Sequence, residues 1–308
     1  MRRALADDAR SGLVATPKEL SPKWFYDERG CQLFDAITRL PEYYPTRSER
    51  AILEARAGTV AQLVPADTLV EIASGTSEKT RLLLDPLVAA GLRRFVPFDV
   101  SQPTLRAAGD AIAAEYPGLE VHAVVGDLEQ HVSLLPSGGH RLVAFLGGTI
   151  GNLLPPRRAR LLSEIHRALR PGEALLLGTD LVKEASRLEA AYDDEAGVTA
   201  AFNRNVLRVL NRELGADFVP DRFEHVARFD PEHEWVEMHL RSTTGQTATV
   251  RGLGLEVRFA PGEEMRTEIS AKFRREGVEA ELAAAGFELV RWWTDPAGDF
   301  ALSLSLAT

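Results

Sequence analysis

The segment LVEIASGTSEKT, residues 69–80, decides the fold. Its apolar run, Leu69–Glu71, reads as a strand that ends in an acid. Ala73–Gly75 is a turn of small residues. Thr76–Ser77 then opens a helix, because Ser and Thr cap helices and Glu78 suits the positive end of the helix dipole. A strand entering a small-residue turn and then a helix brings backbone N–H groups close to a ligand, as in the nucleotide sites of doubly wound sheets. Taken alone, the segment is also an ordinary strand–turn–helix connection. Only Gly75 is a glycine, and the phosphate-binding patterns GxGxxG and GxxxxGK[ST] are both absent.

Working outward, residues 68–180 repeat a βα rhythm. Strands are expected at Leu69–Ala73, Phe95–Phe98, Val121–Val125, Leu142–Gly147 and Ala174–Gly178, with helices near 77–90, 101–116 and 156–169. Such alternation implies a parallel, doubly wound sheet, and ligands sit past the carboxyl ends of its strands. Those ends carry Glu71, Asp99, Gly126–Asp127, Gly147–Gly148–Thr149 with Gly151–Asn152, and Thr179–Asp180. One aspartate after a strand is usually a cap or turn residue. Five polar ends on one edge are a candidate site. Asp99 stands one βα unit past the turn, where an acid takes up ribose hydroxyls, and Asp127 suits an adenine amino group.

On the amino-terminal side, residues 1–20 have few periodic apolar positions and are expected to be loosely held. Residues 23–40 are dense in aromatic and aliphatic side chains, with Leu33, Phe34 and Ile37 at helical spacing. In LPEYYPTRSERAIL, residues 40–53, Pro41 and Pro45 stiffen a loop holding Tyr43 and Tyr44, and Thr46 is the expected cap of the next helix. Residues 181–270 break the rhythm. A helical stretch containing Tyr192 is interrupted at Gly197, and strands follow at 234–241, 247–251 and 255–259. In GEEMRTEISAKF, residues 262–273, strict alternation puts Met265, Thr267, Ile269 and Ala271 on one side. Arg266, Glu268, Ser270 and Lys272 fall on the other, which by itself reads as a solvated face. After a helix capped at Gly286, Phe287–Trp293 and Phe300–Leu306 form an antiparallel hairpin. A parallel sheet finished by such a hairpin resembles class I methyltransferases. The expected division is 59–187 plus 275–308 for the sheet domain, and 1–58 plus 188–274 for a second lobe.

The 308 residues are 45% hydrophobic and 26% charged, the balance of a soluble globular protein. With 36 Lys and Arg against 45 Asp and Glu, the formal charge is −9, which disfavours nucleic acid as a partner. The opening MRRALADDAR lacks an apolar signal core, and no apolar run reaches the ~18 residues that a bilayer span needs. A cytoplasmic protein with no membrane partner is expected. The single cysteine, Cys31, excludes an internal disulfide and a cysteine zinc cluster. The seven histidines, among them His225, His233 and His239, form no HExxH pattern, so no metal is expected.

The strings SPKWFYDERG, ITRLPEYYPTR, SGTSEKTR, FVPFDVS, FLGGTIGNL, LLLGTDLVK, AYDD, FNRNVL and GEEMRTEISAKF closely resemble bacterial L-histidine Nα-methyltransferases, the EgtD family. The resemblance covers about residues 21–306. It implies an α/β fold: a Rossmann-like class I methyltransferase sheet with a second, substrate-binding α+β lobe. It implies three successive methyl transfers from S-adenosylmethionine to the α-amine of L-histidine, giving hercynine and S-adenosylhomocysteine, the first step of ergothioneine biosynthesis. A monomer is expected.

Residue by residue, the resemblance implies donor contacts at Ala73, Ser74, Gly75, Lys79, Asp99, Asp127 and Leu128. Ala73 replaces a family glycine, and its methyl group is tolerated if its φ is negative. Tyr26 and Tyr43 are implied at the substrate imidazole, with Phe34 and Met238 as walls. Glu268 and Ser270, flanking Ile269, grip the ring. Asn152 and Gly147 orient the backbone of the amino acid, and Tyr192 meets its carboxylate. No residue is expected as a dedicated acid or base; Asn152, Tyr43 and Gly147 act by positioning. Gly147 and Gly148 are expected to leave room for the added methyl groups. Alternatives are a relative acting on another amino acid such as tryptophan, a non-catalytic binding module, and, more weakly, a nicotinamide oxidoreductase.

Overall fold

The computed structural model describes residues 2–308; Met1, the first residue of the expected 1–58 segment, lies outside the described residues. Two compact units are present: Met1–Tyr44 with Lys183–Ala271 (unit 1), and Pro45–Val182 with Lys272–Thr308 (unit 2).

Unit 1 begins with α1 (Arg2–Val14), β1 (Lys18–Glu19) and α2 (Glu28–Ile37). Residues 2–20 are not loosely held. Leu5, Ala9 and Leu13 recur at helical spacing, and each is at most 2% exposed in the unit 1 core. Unit 2 follows with α3 (Pro45–Leu63), β2 (Thr68–Ile72), α4 (Arg81–Ala89), β3 (Arg94–Asp99), α5 (Gln102–Glu115), β4 (Glu120–Val121), β5 (Val124–Val125), α6 (Leu128–His131), β6 (Arg141–Phe145), α7 (Pro155–Ala168) and β7 (Ala174–Asp180). Unit 1 resumes with α8 (Ala185–Tyr192), α9 (Val198–Leu214), β8 (Phe223–Asp230), β9 (Trp235–Ser242), β10 (Gln246–Val250), β11 (Leu255–Phe259) and β12 (Glu264–Ala271). Unit 2 closes with α10 (Arg275–Ala284), β13 (Phe287–Thr294) and β14 (Phe300–Ala307).

The unit 2 sheet runs in the order β13-β14-β7-β6-β2-β3-β4, with β5 also on β3. β7, β6, β2, β3, β4 and β5 pair in parallel, while β14 is antiparallel to β7 and to β13. This is the class I methyltransferase sheet. Its central strands, TLVEI, RLVAF and ALLLGTD, are buried at every residue, as parallel strands covered on both faces must be.

The boundary expected at residue 58 falls instead at Pro45. Ile52, Leu53, Ala57 and Val60 bury the inner stripe of α3 in the unit 2 core. Proline at the first position of α3 starts that helix one residue before Thr46, because its fixed φ is already helical. The later boundaries also shift. Phe273 N–H donates to Asp180 O (2.8 Å) and Val182 N–H to Phe273 O (3.1 Å), which ties 272–274 to the end of β7. Lys183 Nζ, by contrast, donates to Tyr44 Oη of unit 1 (2.7 Å). The strand expected over 121–125 is two short pieces, β4 and β5.

In unit 1, β12 lies between β1 and β9, and β8 pairs with β9. Here strict alternation fails. Met265 stands opposite Leu240, but Glu268 stands opposite Met238, so β12 carries one extra residue in a β-bulge between Arg266 and Glu268. Residues directly opposite share a face. Glu268 and Ser270 therefore face the side of Met265, Met238 and Val236, where Met265, Met238 and Val236 are at most 2% exposed. The bulge exchanges the two faces of the strand downstream of it. Among the described residues no helix is long and apolar enough to cross a membrane.

Candidate active site

The residues expected at the donor all lie in unit 2, at or after the carboxyl ends of β2, β3 and β5. After β2 the chain passes through Ala73 at φ +54° and Gly75 at φ +53°. Ala73 is therefore in the left-handed region, contrary to the negative φ that its methyl group calls for. An L-residue there costs about 1–2 kcal/mol relative to the right-handed form. Ser77 is also left-handed, at φ +51°, so the helix expected from Thr76–Ser77 starts only at Arg81. In place of capping that helix, the hydroxyls of Ser77 (3.0 Å) and Thr80 donate inward to the Glu71 carboxylate. Burial pushes that carboxyl up to about 7, against those two hydroxyls and the charge of Lys79, with Glu49 adding to the rise.

The turn is tied to β3. Ser74 N–H donates to Phe98 O (3.1 Å), and Gly75 N–H to Asp99 Oδ2 (2.9 Å). Asp99 Oδ1 accepts from Ser101 N–H (2.9 Å). Burial holds this carboxyl above the usual range against the backbone N–H groups of Ser101, Gly75 and Val100. Gly126 N–H donates to Asp99 O (2.9 Å), which sets Asp127 at the next strand end. Asp127 caps α6 through Glu129 N–H (2.9 Å), its own N–H donates to His131 Nδ1 (3.0 Å), and Leu128 is the first residue of that helix.

Lys79 ion-pairs with Glu49, whose residue is wholly buried and whose Oε1 also accepts Gly147 N–H at 2.7 Å. Sequence reasoning missed Glu49. Its setting, RSER in a helix, looks like a solvated face, and its burial follows only from α3 joining unit 2. Gly147 (φ +78°) and Gly148 (φ +68°) form the turn after β6, and Asn152 ends the following helical turn, Thr149–Asn152. A Cβ on Gly148 would meet the Phe300 ring at 3.4 Å, an ordinary contact, so what calls for glycine here is its left-handed backbone.

The substrate residues implied elsewhere lie in unit 1, and the structure brings them into one chain of contacts. Tyr26 meets Phe34 edge-on (5.5 Å between ring centroids), Phe34 meets Tyr43 (6.2 Å), and Tyr43 meets Tyr192 (6.3 Å). Edge-to-face pairs of this kind contribute about 0.5–1.5 kcal/mol each beyond area burial. Tyr192 Oη lies 2.6 Å from Ser270 Oγ, and Met238 is opposite Glu268. Phe202, missed in the sequence, backs the wall at 5.6 Å from Tyr26 and 5.9 Å from Phe34. Ile269 is not brought in: it pairs with Glu237, on the opposite face.

The unit 2 residues fit a bound S-adenosylmethionine. Ser74 is 8% exposed and its Oγ, buried in the turn, has no hydrogen-bond partner, which a ligand would supply. A Cβ on Gly75 would meet nothing within 4 Å, so the turn is open where a ligand would approach. Among the described residues no three His, Cys, Asp or Glu side chains gather as a metal site.

The chain is similar to known proteins along nearly its whole length. A histidine N-alpha-methyltransferase of Mycolicibacterium smegmatis is 61% identical over 98% of this chain and 95% of its own. Ergothioneine biosynthesis protein 1 of Neurospora crassa is 28% identical over 90% of this chain, which spans 32% of that longer protein. Among solved structures, the CcbJ methyltransferase of Streptomyces caelestis shares the fold, with a TM-score of 0.51 and 19% identity over 92% of this chain and 100% of that one. Residues 5–307 match the family described as "Histidine-specific methyltransferase, SAM-dependent". With the turn after β2 and the terminal hairpin of the sheet in place, the match fixes the enzyme type: the chain belongs to the family of S-adenosylmethionine-dependent, histidine-specific methyltransferases.

Proposed function

We propose that this enzyme methylates the α-amine of L-histidine three times, giving hercynine, and so begins ergothioneine biosynthesis, working as a cytoplasmic monomer. The observation that carries the reading is the 2.6 Å contact between Tyr192 Oη and Ser270 Oγ. It joins the residue assigned to the carboxylate with a residue assigned to the ring, on the face that Glu268 shares.

When bound, S-adenosylmethionine supplies an electrophilic methyl group on its sulfonium. The protein's work is positioning: the amine lone pair must point at that methyl, opposite the sulfur. Orientation of this kind is worth about 7–11 kcal/mol in well-aligned systems. Glu268 accepts from one imidazole N–H, and the Ser270 hydroxyl serves the other ring nitrogen as donor or acceptor. Tyr192 donates to the carboxylate. Asn152 accepts from the amine, and Tyr26, Phe34, Tyr43 and Met238 wall the ring. Met238 is unbranched and adapts as the substrate grows. Ser74, Gly75, Lys79, Asp99, Asp127 and Leu128 hold the donor, with Ala73 at the turn. No side chain acts as a general base, so the amine loses its proton to solvent.

The test is incubation of the enzyme with L-histidine and methyl-labelled donor, followed by mass analysis. Mono-, di- and trimethylated histidine should appear in turn, with label on the α-nitrogen. Label confined to the ring, or no transfer to histidine, would overturn the reading.

A further inference from the structure

Behind the substrate residues of unit 1 lies a buried polar relay that the reaction itself does not use. Thr267 Oγ1 is 2.7 Å from Asn203 Oδ1 and 3.0 Å from Met238 O, and shares its proton between them. Asn203 Nδ2 donates to His225 Nδ1 (2.8 Å) and to His239 O (3.0 Å). With Nδ1 accepting, the neutral imidazole carries its proton on Nε2 and donates it to Tyr192 O at 2.8 Å. Thr267, Asn203 and His225 are 1%, 0% and 8% exposed, so water cannot replace these bonds. Burial holds the His225 ring below its usual pKa, against the Tyr192 carbonyl and the carboxylate of Asp193, which lies 3.8 Å from Nε2.

The relay closes a ring. The Tyr192 carbonyl reaches β12 through three side chains, and the Tyr192 hydroxyl reaches β12 directly at Ser270. Its contact on β12 is Thr267, the residue at the bulge that turns Glu268 and Ser270 to the ring-binding face. Two ties between the same pair of elements fix their separation, as a supporting shell does for a binding site.

We propose that Thr267, Asn203 and His225 are positioning residues that set the distance between the carboxylate grip at Tyr192 and the ring grip at Glu268 and Ser270, and thereby select an amino acid of histidine's length. The proposal rests on the substrate assignment made above. Losing the Thr267 hydroxyl leaves Asn203 Oδ1 without its donor and frees the bulge to move along β12, which exchanges the faces of Glu268 and Ser270.

The test compares Thr267→Val, which keeps the shape, with Thr267→Ser, which keeps the hydroxyl. Substrates are histidine and homohistidine, whose ring lies one methylene further from the α-carbon. Donor affinity, measured by calorimetry, reports an intact unit 2. Thr267→Val should raise KM for histidine about tenfold and narrow the kcat/KM preference for histidine over homohistidine by a similar factor, with donor affinity unchanged. Thr267→Ser should restore both. The proposal is overturned if Thr267→Val keeps the length preference, if Thr267→Ser loses as much as Thr267→Val, or if donor affinity falls in parallel. Glu268→Ala and Ser270→Ala separate the two readings. If neither changes KM for histidine, the substrate assignment is wrong. If they raise it while Thr267→Val does not, the relay alone is wrong.

Discussion

Glu268 lies directly opposite Met238 across the β9–β12 pair, so its carboxylate leaves the sheet on the side that Met265 and Leu240 also face. One residue fewer in the bulge would send it to the other face, beside His239 and Glu237. The side that this carboxylate faces depends on that single insertion.

Removing the carboxylate should therefore act on the amino acid and spare the donor. Glu268→Ala is expected to raise KM for histidine about 10- to 100-fold, the range for a lost charge-assisted hydrogen bond of about 1.5–3 kcal/mol. Donor affinity should stay within about twofold. Steady-state kinetics with calorimetry of donor binding checks this; an unchanged KM would remove Glu268 from the ring site.

Ala73→Gly should stabilise the protein. The alanine sits at φ +54°, where glycine is unstrained. Relief of about 1–2 kcal/mol of backbone strain is partly offset by the greater freedom of glycine in the unfolded chain, leaving a gain of roughly 0.5–1 kcal/mol. Urea unfolding measures it, and a lower midpoint for the variant would show that the methyl group packs favourably despite its backbone.

Glu71 makes stability depend on pH. Its folded-state pKa of about 7 stands above the 4.5 of a free glutamate. The folded state thus binds the extra proton. Its contribution is fully present below the unfolded pKa and is lost as pH rises through 7, by about 3 kcal/mol. Unfolding of the donor-free protein at pH 5 and pH 8 should show that fall in the wild type and a flatter response in Glu71→Gln. Parallel profiles would place the titration elsewhere.

At the opposite end of the sheet, Arg141 and Glu173 form a buried ion pair (2.6 Å, side chains 3% and 2% exposed). Burial pushes the Glu173 carboxyl up, and the Arg141 guanidinium with the Arg170 and Arg141 N–H groups outweighs it, holding the group below its usual range. Glu173→Ala should cost about 3–5 kcal/mol by stranding the arginine, whereas replacing both partners by apolar residues of similar size should cost far less. Thermal unfolding of the single and double variants distinguishes these outcomes, and equal losses would refute the pairing argument.

The parallel sheet, its terminal hairpin and the strand-end acids were all readable along the chain. They rest on local repeats: apolar runs of strand length, helical spacing and turn residues at fixed offsets. The helix start after Gly75 was misread for a physical reason. Thr76 and Ser77 look like a cap, yet the Ser77 hydroxyl, with that of Thr80, serves a buried glutamate that only the folded core creates. Glu49 was hidden in the same way, since a glutamate on a helix reads as solvated until a second element covers it. The first twenty residues looked featureless because three buried side chains in a short helix are a weak periodic signal.

Sequence alone determined the fold class, the family and which residues are assigned to donor and substrate. Tertiary structure alone decided which way those residues face. Alternation is a property of an unbroken strand, and the bulge that reverses it at Thr267 exists only through pairing with β9 and hydrogen bonding to Asn203. Contacts between residues far apart in the chain set that register, and no local pattern encodes them.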